Sequence, residues 1–427
     1  MNAMGNLLAV TILLPTVGAL LIDNHRCRAR SVALIVSLVV LAASIVILAG
    51  FPGGAEPYAV WQADWLGDAL PQVDLKVAVG LDGLSLWLFG LSALLTVTSI
   101  LVSWTAIEDN APTYYRLLLL LETGMLGVFA ARDLLLFYVF FEFTLIPLFF
   151  LIGVWGSDQR RYAAVKFFLF TLAGSLLTFV GLLALVLWAG QYAPDGKLTF
   201  DIAALTETLQ RLNETGRFPA KVQLWIFLAL FVGFAVKVPL FPLHTWLPLA
   251  HVEAPTAGSV LLAGVLLKVG GYGFLRFSLP MLPDAVTMCA PWIVWLAVVG
   301  IIYGALTALA QSDIKRLIAY SSVSHLGFCM LGFFALNRVA LSGGVLQMIN
   351  HGLSTGGLFA VIGMLYERYH TRRIRDYGGM ASRLPVLAFF MFVMTFSSIG
   401  LPGLNGFAGE FLILLGTFQS AWAKGGH

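Results

Sequence analysis

The chain alternates long apolar runs with short polar breaks. Runs of about 20 apolar residues, enough to cross roughly 30 Å of hydrocarbon as helix, fall near 4–22, 31–51, 83–104, 114–131, 133–153, 164–190, 223–248, 255–279, 286–310, 317–336, 342–364 and 385–416. That pattern predicts an all-α polytopic membrane protein with about twelve transmembrane helices. Only Arg132 and Asp133 divide the fourth run from the fifth, and "GLPGLNG" at 400–406 interrupts the last. Two intervening segments are polar. Residues 52–82 hold Glu56, Asp64, Asp68, Asp74 and Asp82 against a single Lys76, an acidic external loop; residues 191–222 are mixed, and "IAALTETLQRL" within them predicts a short surface helix.

Composition agrees with the pattern. Only 11% of the 427 residues are charged and 59% are hydrophobic, at a mean hydropathy of +0.89, where globular domains carry about 25% charged residues. The net charge of +3 points to no nucleic-acid partner; the partner it implies is the lipid bilayer. Cys27, Cys289 and Cys329 are far apart, without the spacing of a disulfide framework, a zinc site or an iron–sulfur site. The first apolar run has no basic stretch before it and no small-residue cleavage site after it, so it is expected to be a retained span. Charge sets the expected orientation. Arg26, Arg28 and Arg30, then Arg160 and Arg161, then Lys315 and Arg316, then Arg368, Arg372, Arg373, Arg375 and Arg383 all follow odd-numbered spans. Odd loops therefore face the cytoplasm, and the N-terminus lies on the outer side of an inner (cytoplasmic) membrane.

Ionisable residues inside spans carry the chemistry, because a charge at the bilayer centre costs from about 3 to more than 10 kcal/mol. Glu122, Glu142, Lys237, Lys268 and Glu410 lie well inside; His244, His251, His325 and His351 lie inside or at span ends. Taken singly, a buried acid or histidine reads as well as interhelical hydrogen-bonding glue. Glu122 has no helix-breaking motif around it, and His251, at a span end, reads as interfacial. Lys237 differs: in "FVGFAVKVPLFPLHTWLPLAH" Pro239 and Pro242 remove backbone donors just after it. A broken helix at that depth is tolerated only against protein or a wet cavity, and transporters place such breaks at ion sites. "SSIGLPGLNGFAGE" repeats the device beside Glu410. Two broken helices in corresponding places predict an internal repeat. A carboxylate within ~4–6 Å of a buried lysine changes its proton affinity by about 1–3 pK units. Moving a proton against about 150–200 mV takes roughly 4 kcal/mol, about 3 pK units. A Glu142 that approaches and leaves Lys237 is therefore of the right order to drive transport.

The stretches "KVPLFPLHTWLP", "HVEAPTAGSVLLAGVLLKVGGYGFLRF", "SDIKRLIAYSSVSHLGF" and "NHGLSTGGLF" resemble the antiporter-like membrane subunits of respiratory complex I, a family shared with cation/proton antiporters and membrane-bound hydrogenases. The resemblance runs from about residue 80 to the end. It implies two inverted five-helix repeats, each with a discontinuous helix: residues 1–110 as three leading spans, 111–280 as the first repeat, and 281–427 as an incomplete second repeat. It implies a proton relay through Glu142, Lys237, Lys268, His325, His351 and Glu410, with His244 and Glu122 as further candidates. Glutamate at Glu410, where relatives often have lysine, points to the M type. The expected function is proton translocation in an NADH:quinone oxidoreductase, beside L-type and N-type chains. No cofactor or metal is expected in this chain; NADH, FMN, iron–sulfur clusters and quinone would belong to partner subunits. Two features depart from the family. Leu249 stands where an acid is common, and the chain ends soon after Glu410, which predicts a reading frame truncated by about two spans. Two alternatives remain: a stand-alone or Mrp-like cation/proton antiporter module or the related hydrogenase subunit, and a haem protein. The four histidines lack the spacing of stacked haem sites.

Overall fold

The computed structural model of the chain describes residues 3–54, 56–65, 72–193 and 196–423, so Asp68 and the last four residues lie outside the described part. Each apolar run is helical, because in hydrocarbon a helix satisfies its own backbone donors and acceptors. The helices are α1 (Ala3–Leu21), α2 (Arg26–Ala49), α3 (Ser85–Val102), α4 (Ala111–Ala130), α5 (Leu134–Phe143), α6 (Leu145–Trp155), α7 (Arg160–Gly190), α8 (Ile202–Glu214), α9 (Ala220–Lys237) and α10 (Leu247–Glu253). One span, Thr256–Met281, contains α11 (Thr256–Leu261), α12 (Leu267–Gly273) and α13 (Leu279–Met281), separated by π-helical turns at Leu262–Leu266 and Phe274–Ser278. Then follow α14 (Pro283–Leu309), α15 (Ile314–Phe334), α16 (Arg338–Tyr369), the short α17 (Met380–Arg383), α18 (Pro385–Ser398) and α19 (Asn405–Ala423). Among the described residues, ten helical segments are long and apolar enough to span a membrane. The Thr256–Met281 span is the most enclosed of them, 94% buried in its most apolar window, whereas α2 is 28% buried. Outward-facing Leu20, Trp292, Trp295 and Leu309 are 67–82% exposed, a surface suited to lipid rather than water.

The chain is the mostly helical membrane fold expected, but the segment read as an acidic loop carries short strands. Residues 52–82 include β1 (Tyr58–Asp64), β2 (Val73–Asp74) and β3 (Lys76–Leu81); β1 pairs antiparallel with β3, and β2 runs parallel to β4 (Leu198–Thr199). "KVAVGL" and "YAVWQAD" carry the β-branched and aromatic residues that suit a half-buried strand, a signal masked by the acids around them. These strands define the soft boundary between α4 and α5. Arg132 N–H donates to Ala78 O at 2.9 Å, and Leu134 N–H to Phe200 O at 2.8 Å. Asp133 Oδ1 caps α5 by accepting from Leu135 and Leu136 N–H at 2.9 and 3.1 Å. The surface helix forms as expected: Asp201 caps α8 through Ala204 N–H at 2.8 Å, and Ile202, Leu205, Leu209 and Leu212 bury one stripe.

Both breaks fall where the prolines place them. α9 stops at Lys237 and α10 starts at Leu247; α18 stops at Ser398 and α19 starts at Asn405. In the second break Gly400 and Gly403 have φ of +73° and +94°, a conformation glycine reaches without a Cβ clash.

Candidate functional site

The clearest polar feature of the interior is a line of four side chains from four helices. Lys268 lies on α12, fully buried. Its Nζ donates to Ala263 O, and it lies 2.7 Å from His351 Nδ1 on α16. The π turn just before α12 explains the first contact: widening from the α to the π pattern frees a carbonyl from the ladder. His351 and His325 of α15 have ring centres 5.8 Å apart. His325 Nδ1 lies 2.9 Å from Glu410 Oε1 on α19, and Ser398 Oγ lies 3.1 Å from the other ring nitrogen. A cavity of about 10 Å³ touches His325, His351, Gln347, Asn350 and Ser354, close to the volume a single water needs.

Each 2.7–2.9 Å contact admits one proton. A Lys268 ammonium donates to neutral His351, or a neutral amine accepts from the imidazolium; the same holds for His325 against Glu410. Such a pair can exchange a proton without moving a heavy atom far; between the two pairs the histidine ring centres stand 5.8 Å apart, with the small cavity beside them.

Lys237 is held differently. It is 5% exposed, and its Nζ stands 4.9 Å from the centre of the Phe141 ring, a cation–π distance. Glu142, next to Phe141, faces it electrostatically, and Ser175 of α7 faces Glu142. The Phe141 ring therefore lies against the ammonium. Backbone approach brings the two lysines' helices together: a Cβ on Gly270 would sit 2.8 Å from Phe234 O and 2.9 Å from Lys237 Cβ.

Two candidates stand apart from this line. Glu122 is fully buried on α4, where Ser37 Oγ of α2 donates to its Oε2 at 2.7 Å and its Oε1 has no partner. His244, in the first break, packs against Phe241 and Tyr303 with ring centres 5.6 and 5.1 Å away. The interfacial reading of His251 is corrected: α10 turns inward, and His251 is fully buried.

Several partners carry no charge and were not singled out as site residues. Gln347 Nε2 donates to Glu410 Oε1 at 3.0 Å, and Asn350 Nδ2 to Asn405 O at 2.6 Å. Ser354 and Ser397 hydroxyls meet at 2.5 Å. The signal is present in "QMINHGLSTGG": Gln347, Asn350, His351 and Ser354 recur at helical spacing, a polar stripe on an otherwise apolar span. Among the described residues, no group of three or more His, Cys, Asp or Glu is arranged to hold a metal.

A family model described as "NADH:quinone oxidoreductase/Mrp antiporter, TM" matches residues 131–425. The chain belongs to that family. Within the NADH:quinone oxidoreductase/Mrp antiporter family, the chain is 45% identical over 394 residues to the NADH-quinone oxidoreductase subunit M of Rhodobacter capsulatus, covering 92% of this chain and 75% of that one. It is 44% identical to subunit M of Pseudomonas aeruginosa, over 96% of this chain and 81% of that one. A chain of respiratory complex I from Thermus thermophilus superposes with a TM-score of 0.86 at 36% identity, covering 97% of this chain and 83% of that one. A chain of the Mrp complex from Dietzia shares the fold, with a TM-score of 0.82 at 22% identity, over 99% of this chain and 76% of that one. The protein is thus an integral, multi-pass member of this family, an antiporter-like membrane subunit.

Proposed function

We propose that the chain is the M-type proton-translocating subunit of an NADH:quinone oxidoreductase and that protons pass along Lys268, His351, His325 and Glu410, driven by the Glu142–Lys237 pair. The observation that carries the reading is the alignment of four titratable groups from four helices, with contacts of 2.7 and 2.9 Å at the two ends and histidine ring centres 5.8 Å apart at the middle step, beside a cavity of single-water size. Lipid-embedded folds retain such groups where ions or protons pass. The subunit M names of the relatives support the assignment to the complex, and the likeness to the Mrp chain extends only to fold.

This chain performs no electron transfer. NADH, FMN, iron–sulfur clusters and quinone belong to partner subunits, and L-type and N-type chains are its membrane neighbours. It sits in the inner membrane with the arginine-rich ends facing the cytoplasm and the β1–β3 hairpin on the outer side. Closer approach of Glu142 to Lys237 would raise the lysine's proton affinity, and its withdrawal would release the lysine's proton toward α12.

Lys237→Ala and Glu142→Gln test this in the intact complex. Both variants are expected to assemble and to lose NADH-driven proton uptake in vesicles; native-like uptake in either would sink the relay.

A further inference from the structure

One buried histidine is unused by the relay, and its surroundings give it a task. His251 closes α10. Its ring is fully buried, neither ring nitrogen has a hydrogen-bond partner, and one face stacks on Phe359 of α16 at 4.7 Å and 11°. Leaving buried polar atoms unpaired costs about 1–3 kcal/mol each, so packing alone would favour an apolar ring there. Its backbone carbonyl accepts from Ser259 Oγ at 3.0 Å.

Charges face the ring from two sides: Lys268, a member of the relay, and Lys315 at the start of α15; His351 also interacts with it. Lys315 lines a half-open cavity of about 580 Å³ at the arginine-rich end, bounded by α3, α6, α10, α15 and α16. That is room for many waters. Phe359, the ring stacked on His251, forms part of its wall, as do Val252, Thr256 and Glu367. Glu367 Oε1 is buried in that region without a partner. The residue that follows His251, Val252, and the ring stacked on it, Phe359, both form the wall of this basin, while Lys268 of the relay interacts with the imidazole electrostatically.

We propose that His251 is the entry station, carrying protons from this cavity to the Lys268–His351 pair. The neutral ring takes a proton from cavity water at one nitrogen and becomes imidazolium. It rotates about the Cβ–Cγ bond, gives that same proton to the relay from the same nitrogen, and rotates back as the neutral tautomer it began as. No electron moves and no bond other than N–H changes. The inference rests on the relay proposed above and adds the route by which protons reach it.

The test uses the whole complex in vesicles. His251→Phe keeps the ring stack and removes both nitrogens, and it should lower proton uptake by about 100-fold, the loss expected for one proton-transfer group. His251→Ala should be as slow but leaves a ring-sized space open to the cavity. Added imidazole should restore uptake saturably, measured against wild type in the same imidazole, and non-basic pyrrole should not. As a check that needs no change at the histidine, Ala106→Cys at the cavity wall should slow on reaction with a benzyl thiosulfonate, relative to wild type given the same reagent. Wild-type uptake in His251→Phe, equal rescue by pyrrole, absence of rescue, or an unchanged rate after labelling would each overturn the entry role. Those outcomes differ from failure of the relay, which Lys237→Ala and Glu142→Gln report with His251 intact.

Discussion

Gly270→Ala separates packing from chemistry at the lysine pair. The added Cβ would lie 2.8 Å from Phe234 O, 2.9 Å from Lys237 Cβ and 2.9 Å from Val238 Cγ2. Ordinary contact begins near 3.4 Å, so α9 and α12 must separate by about 0.5 Å, an overpacking that costs roughly 1–3 kcal/mol. The atoms in the way are backbone or backbone-proximal and cannot rotate aside. The displaced segment is the end of α9 that carries Lys237, whose ammonium is positioned against Phe141 and Glu142. A 1 Å misplacement of a reacting group costs about 100-fold, so half that shift predicts a loss of about 10-fold in proton uptake. Gly258→Ala, in the same buried span, is the control. Its Cβ would meet Ala254 and Pro255 at 3.4–3.6 Å, ordinary contact, and alanine gains about 0.4–1 kcal/mol by restricting the unfolded chain. Vesicle uptake per assembled complex is the assay. A Gly270→Ala complex pumping at the wild-type rate, or a Gly258→Ala complex as impaired as it, refutes the reasoning.

Lys268→Ala should be severe, whereas His351→Ala and His325→Ala should retain part of the uptake in the same assay, because water can bridge a missing station. Asp133→Ala removes the acceptor for Leu135 and Leu136 N–H and should lower the stability of the region by about 1 kcal/mol, read as faster proteolysis at the α4–α5 junction. Burial alone would raise the Asp82 carboxyl, but Arg276 at 2.6 Å and the Ser85 N–H hold it below the usual carboxylate range. A depressed carboxylate stabilises the fold above its unfolded pKa of about 3.9 and loses that contribution as pH falls through its folded value. Asp82→Asn should therefore flatten the acid limb of a stability-versus-pH curve. Metal analysis of the isolated chain should find neither stoichiometric haem nor stoichiometric iron.

The apolar runs that hydropathy located are helical over most of their length, because lipid leaves the backbone no alternative. Both breaks were readable for the same reason, since Pro239, Pro242 and Pro402 cannot continue a helix ladder. Three things were not readable. The strands at 58–64 and 76–81 are short and sit among acids, so composition described a loop where pairing made a hairpin. The burial of His251 depends on α10 turning inward after the break, and span boundaries say nothing of that direction. The third is the ring against Lys237: the Phe141 face lies 4.9 Å from its ammonium, and a phenylalanine among "YVFFEF" carries no mark that distinguishes it from lipid-facing neighbours.

That aromatic ring bears on how the two breaks divide the work. At the first, an ammonium rests on a π face with its carboxylate held to one side, so its state changes only if something moves. At the second, Glu410 is already within hydrogen-bond reach of His325 and Gln347, and a proton can arrive or leave by exchange alone. Lys237 accordingly answers to a mechanical input, and the line from Lys268 to Glu410 answers to the charge that input sets. A lysine in place of Glu410 could still share one proton with His325, as Lys268 does with His351, but that pair would carry one positive charge. The Glu410–His325 pair holds its shared proton at no net charge, so the second break hands a proton on without leaving a buried charge behind.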